Sequence, residues 1–141
     1  MYEPIRAKSV HTMADRADFP HRSREEELNI QLAGHLSALL TVTDELGLEE
    51  PAECIARQIV RLRGTPPTRH AALTDADPVA LHRRALALAG RALVVAASRA
   101  DTAAAILSAE RMDAHTAALN ETPPATEPPA AAQDQRLLAT R

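Results

Sequence analysis

Aromatic side chains are nearly missing from this chain: Tyr2 and Phe19 are the only two in 141 residues, and there is no Trp. A core built after the first twenty positions must therefore be aliphatic. Cysteine is equally scarce, since Cys54 stands alone; this excludes an intramolecular disulfide and a zinc site made of several thiolates, and it fits a reducing compartment. The four glycines form no phosphate-cradling loop, and no serine sits in a nucleophile elbow. An excess of positive charge is lacking too. With 16 basic and 19 acidic residues the net charge is -3, which gives no global attraction to nucleic acid or anionic lipid. The longest apolar stretch, Ala85 to Ala97, is interrupted by Arg91 and is too short to span a bilayer, and the first residues carry no apolar signal core. The expectation is a soluble, cytoplasmic protein without membrane association, and at this length a single domain.

What fills the chain instead is alanine, at 30 positions, together with leucine and arginine. Alanine buries little area but favours helix and lets backbones approach closely. No window alternates with the period of a half-buried strand, so the fold class expected is all-α, an antiparallel helical bundle. Residues 1–22, with Pro4 and Pro20 and no sustained periodicity, read as a mobile arm. Ser23 lies three residues before Glu26 and just ahead of Leu28, the pattern of a capping box, with Glu25, Glu26 and Glu27 in the first turn where the helix dipole favours negative charge. Leu28, Leu32, Leu36, Leu39, Val42 and Leu46 follow at spacings of three and four, Leu40 widens the stripe, and Gly47 offers a left-handed stop. Pro51 suits the first position of a second, shorter helix that lies alongside the first, shows Ile55, Ile59 and Leu62 on one side and ends at Gly64. Residues 65–76, with Pro66 and Pro67, make a connector long enough to cross the end of a bundle.

Asp77 followed by Pro78 signals a third helix start, and no proline interrupts the chain from there to Thr122. An unbroken helix of roughly 42 residues would be about 63 Å long against about 36 Å for the first helix. Read in sevens from Val79, one seam position takes Val79, Leu86, Leu93, Ala100, Leu107 and Ala114; its companion takes His82, Ala89, Ala96, Ala103, Glu110 and Ala117. Leu81, Leu88, Val95 and Ile106 form a second strip. The overhang of about 27 Å predicts a homodimer that covers it. The alternative breaks this helix near Ser98 to Asp101, where either residue can cap a new start, and closes a four-helix bundle within one chain. The bundle domain is expected over 23–120, and the Pro/Ala-rich segment 121–141 as a disordered tail.

Four constellations offer chemistry. Val42, Leu46, Gly47, Leu48 and Ala56 fall near the apolar and turn positions of a helix-turn-helix, with Arg57, Gln58, Arg61 and Arg63 on its second helix, so a DNA-binding regulator using residues 42–63 is one alternative. Glu53 at an inter-helix position and Glu45, Glu49 and Glu50 nearby oppose that reading. Glu50 with Glu53, and Glu110 with Asp113, have the three-residue spacing that holds magnesium; in this respect alone the chain resembles all-α nucleotide pyrophosphohydrolases, the further alternative. His35, between Leu32 and Leu39, and His82, between Val79 and Leu86, are the candidate metal ligands on inner faces, whereas His11, His21, His70 and His115 have no ligand spacing. Cys54 opens the second helix as a small buried residue. The reading that remains is a non-catalytic helical interaction protein, an adaptor, regulator or accessory factor, with no enzyme activity and no cofactor expected. Its partner is expected to be a protein, with a second copy foremost.

Overall fold

The computed structural model describes residues 23–121. They form four helices, with no strand among the described residues: α1 (Arg24–Glu45), α2 (Glu49–Arg63), α3 (Pro78–Ser98) and α4 (Thr102–Glu121). The all-α bundle is thus the fold. The expected arm at 1–22, and the expected tail except for Glu121 at the end of α4, lie outside the described residues.

Local chemistry sets the helix ends where the sequence signals them. The Ser23 hydroxyl accepts the Glu26 N–H at 3.1 Å while the Glu26 carboxylate accepts the Ser23 N–H at 3.1 Å, closing the capping box. Gly47 at φ 75 and Gly64 at φ 82 adopt the left-handed conformation that terminates α1 and α2. Asp77 caps α3 by accepting the Val79 N–H at 3.1 Å, with Pro78 as the first helical residue. α2 starts two residues earlier than Pro51 predicts, at Glu49, with no side-chain cap.

The long third helix is not formed. The chain breaks at 99–101, with the Ala100 N–H on the Ala97 carbonyl at 3.1 Å and the Asp101 N–H on the Ala96 carbonyl at 2.8 Å. This is a Schellman stop in which Ala100, at φ 56, occupies the position glycine normally takes. Asp101 then caps α4, its Oδ1 accepting the Ala104 N–H at 3.2 Å. The break resets the helical phase, so the sevens counted from Val79 do not carry through. Ala103, Glu110 and Ala117 are exposed, as is Ile106 of the second strip; Ala104, Ser108 and His115 face inward instead. It also removes the overhang on which the homodimer expectation was built.

α1 packs on α2 and on α3, α3 packs on α4, and the slightest contact, between α2 and α4, closes the ring. Leucines of α1 (Leu32, Leu36, Leu39, Leu40) join alanines of α3 (Ala85, Ala89, Ala92, Ala96) in one buried cluster, where large side chains against small ones permit a close approach of axes. Ile55 and Ile59 of α2 complete it. Arg61 near the end of α2 meets Asp101 at the start of α4, while Glu50 and Cys54 at its start lie by Glu110 and Arg111, so α2 runs opposite to α4 and in the same direction as α3, and the connector must return along the length of α2, about 22 Å at 1.5 Å per residue. It therefore runs along the side of the bundle rather than across its end. The Leu73 N–H donates to the Glu45 carbonyl at 3.0 Å, tying its far end to the end of α1.

Candidate functional site

Two groupings of polar side chains stand out from this aliphatic frame. The first is a clamp and cleft on the outer side of α2. Asp44, in the last turn of α1, lies on the buried face, and its carboxylate takes Arg69 Nε on Oδ2 at 3.0 Å and Arg69 Nη2 on Oδ1 at 2.8 Å. The His70 N–H adds a third bond to Oδ2 at 2.9 Å. The Arg69 hydrogen bond, with help from the His70 N–H and the nearby charge, outweighs burial and holds the Asp44 pKa below the usual carboxylate value. A buried acid thus fixes the connector in place. Between that connector and α2 lies a cleft of about 600 Å³ lined by Ala56, Val60, Pro66 and Pro67 and by Arg57, Arg61, Arg69 and Glu53.

Arg61 is held from the opposite side. Its Nη2 is shared between both Asp101 carboxylate oxygens, at 3.0 and 2.8 Å, and Nε and Nη2 both donate to Gln58 Oε1, at 2.9 and 2.6 Å. Burial alone would raise the Asp101 pKa, but the Arg61 and Ala104 hydrogen bonds and the charges of Arg61 and Arg99 hold it below normal. Of the four residues predicted to read DNA, Arg61 and Gln58 are therefore engaged within the bundle. Arg57 donates to Cys54 Sγ at 3.2 Å, and Arg63 is exposed in the last turn of α2.

The second grouping lies between α3 and α4. His82 and His115 meet Nδ1 to Nδ1 at 2.9 Å with ring centroids 5.1 Å apart, and Arg111 Nη2 stands 3.4 Å from His115 Nε2. Arg111 can only donate, so His115 accepts at Nε2, carries its proton on Nδ1 and donates to Nδ1 of His82. Both imidazoles are neutral in that chain. Burial first, then the Arg111 charge and His82, lowers the His115 pKa to about 4; burial and Arg111 lower that of His82 as well. Burial likewise lowers the Arg111 pKa.

The partner of His82 is thus His115, which sequence spacing did not single out, and His35 is half-buried on α1 outside the pair. Next to Arg111, a recess on the α2–α4 side brings Glu50, Glu53 and Glu110 around Cys54, with Arg57 and Arg111 interleaved. The structure therefore gathers three of the four acids noted for magnesium. Among the described residues, however, no group of three His, Cys, Asp or Glu is arranged to hold a metal ion. No described helix is long and apolar enough to cross a membrane. Signals for the clamp were present in the sequence: Asp44 stands between Val42 and Leu46 on an apolar stripe, and a carboxylate there requires a cation from elsewhere. Comparison with protein-family models, with curated proteins and with solved structures gave no match.

Proposed function

We propose that the protein is a small, non-catalytic interaction module of the cytoplasm, docking a partner protein on the outer face of α2 and the connector. The cleft carries this reading. Its lining is largely apolar yet open, with Val60 at 41% exposure, and beside Glu53 it holds three arginines, a residue enriched at the centres of protein interfaces. The Asp44 clamp supports it further, because a loop already ordered in the free protein spares the entropy of ordering it on binding.

A photo-crosslinking amino acid placed at position 60 in the native cell tests the reading, with position 91, exposed on α3 diagonally across the bundle, as control. The expected result is a discrete adduct from position 60 that is absent from position 91 and lost on Arg57→Glu. The same adducts from both positions, or none from position 60, would refute it. Light scattering over a range of concentrations decides whether the partner is a second copy.

A further inference from the structure

We propose that the cleft between α2 and the connector receives an acidic, aliphatic segment of another protein, one leucine-like side chain entering between Val60 and Pro66 while flanking carboxylates meet the arginines. The inference rests on the docking face proposed above and supplies the chemistry of its occupant.

Donor geometry sets the sign. Three arginines and one glutamate, Glu53, line the cleft, and Asp101 and Asp44 already neutralise Arg61 and Arg69, so what these two offer an occupant is free N–H donors rather than net charge. Arg61 and Arg69 spend Nε and Nη2 on internal acceptors, which fixes each guanidinium plane and leaves Nη1 without a bond to any described residue. Each remains 43% exposed at the side chain. A pinned guanidinium with a spare edge is a preorganised carboxylate receptor. Arg57 donates to the Cys54 sulfur, and no carboxylate of the described residues lies within ion-pair distance of it.

Shape favours a chain segment over a small molecule. The lining residues of α2 extend from Glu53 to Arg61, about 12 Å of helix, and the cleft is open to solvent. A free small ligand needs most of its surface enclosed, whereas a segment needs only one face covered. Pro66 and Pro67 have no N–H to offer a backbone ladder, so recognition runs through side chains rather than through an added strand.

The test is fluorescence anisotropy with a short labelled peptide of glutamate, alanine and two leucines, titrated with the full chain. Controls replace glutamate by lysine or leucine by alanine. The acidic peptide is expected to bind, with affinity falling as salt rises. Leucine-to-alanine in the peptide and Val60→Asp in the protein should each weaken binding about tenfold or more, with the circular-dichroism melt of Val60→Asp unchanged. Arg57→Glu should abolish the preference over the lysine peptide. Equal binding of the lysine peptide overturns the proposal. Displacement of the peptide by hexanoate or by duplex DNA at comparable concentration also overturns it, in favour of a small acid or of nucleic acid. Absence of binding up to millimolar peptide overturns it as well. If crosslinking from position 60 succeeds in that last case, the docking face stands and only the occupant is wrong; a dimer broken by Val60→Asp identifies that occupant as a second copy.

Discussion

Mild acid should weaken this bundle, and His115 is the reason. In the unfolded chain a histidine takes up its proton near pH 6.5, while folded His115, fully buried and facing Arg111 and His82, does so only near pH 4. The stability is whole above about pH 6.5, where both states are neutral. Below that the unfolded chain binds a proton that the folded one refuses, at about 1.4 kcal/mol per pH unit, until the folded pKa is reached. The loss amounts to roughly 2 kcal/mol by pH 5 and about 3 kcal/mol by pH 4. His82, lowered by burial and by Arg111, acts in the same direction. Asp44 and Asp101, whose folded pKa values are lowered, add a loss of their own only from about pH 4 downward, where the unfolded carboxylates begin to take up protons that the folded ones resist. Equilibrium urea unfolding at pH 7, 6 and 5 reads the effect directly. At about 4–8 °C per kcal/mol for a domain near a hundred residues, the melting midpoint should fall by roughly 10 °C between pH 7 and 5. His115→Gln, which keeps a polar group but cannot titrate, should be less stable at pH 7 and flatter with pH. A His115 ring proton titrating near or above pH 6.5 by NMR, or an undiminished slope in the glutamine variant, would refute the reasoning.

Three further outcomes follow from the turns and clamps. Asp44→Ala removes three bonds from Arg69 and His70 and should cost about 2 kcal/mol in chemical unfolding, discounted because the Arg69 side chain is partly exposed; amide exchange should rise across 65–76. Ala100→Gly relieves a non-glycine residue at φ 56 and should stabilise by about 0.5–1 kcal/mol after the added freedom of glycine in the unfolded chain is subtracted; a lower melting midpoint contradicts the assigned conformation. Asp101→Asn keeps an oxygen for the cap of α4 but removes the charge paired with Arg61, so it should cost about 1 kcal/mol at pH 7, and the difference from the parent should shrink as pH falls below about 3.8, where the unfolded parent takes up a proton that its folded carboxylate resists.

The helix ends proved legible because their chemistry is local. Ser23 with Glu26, Gly47, Gly64, and Asp77 before Pro78 each act within a few positions, and each appears in the structure at the predicted place. The break at Ala100 was open in the sequence because the residue at the left-handed position is a strong helix former; only tertiary closure of the bundle selects it over continuation. Everything that depends on the phase after that break was hidden with it. His82 and His115 lie roughly equidistant from Ala100 in opposite directions, so taking the hairpin first brings them together, whereas an unbroken helix never does. Arg61 and Asp101, 40 positions apart, are the same case. For the cleft, the apolar residues were visible but the wall was not. Pro66 and Pro67 become a wall only because Asp44 recruits Arg69 and turns the connector along α2.

That arrangement gives α2 an unusual status within the bundle. α1 and α3 meet through leucine against alanine and carry most of the buried apolar side chains, while α4, which has an extensive contact with α3, gives only Ala104 to that cluster. α2 is secured by Ile55 and Ile59 on its inner side, while Arg61 to Asp101 spans its slight contact with α4. Partly exposed ion pairs of this kind contribute little net stability, since desolvation and side-chain entropy offset much of the attraction. They do fix where a helix sits. Besides offering its free edge to an occupant, Arg61 then sets the height and rotation of α2 against the connector, and with them the width of the cleft. Arg61→Leu with Asp101→Asn, which keeps the cap of α4, should accordingly leave the unfolding free energy within about 1 kcal/mol of the parent, while weakening peptide binding about tenfold or more. Equal affinity in that double variant would show that the cleft is held by the Asp44 clamp alone.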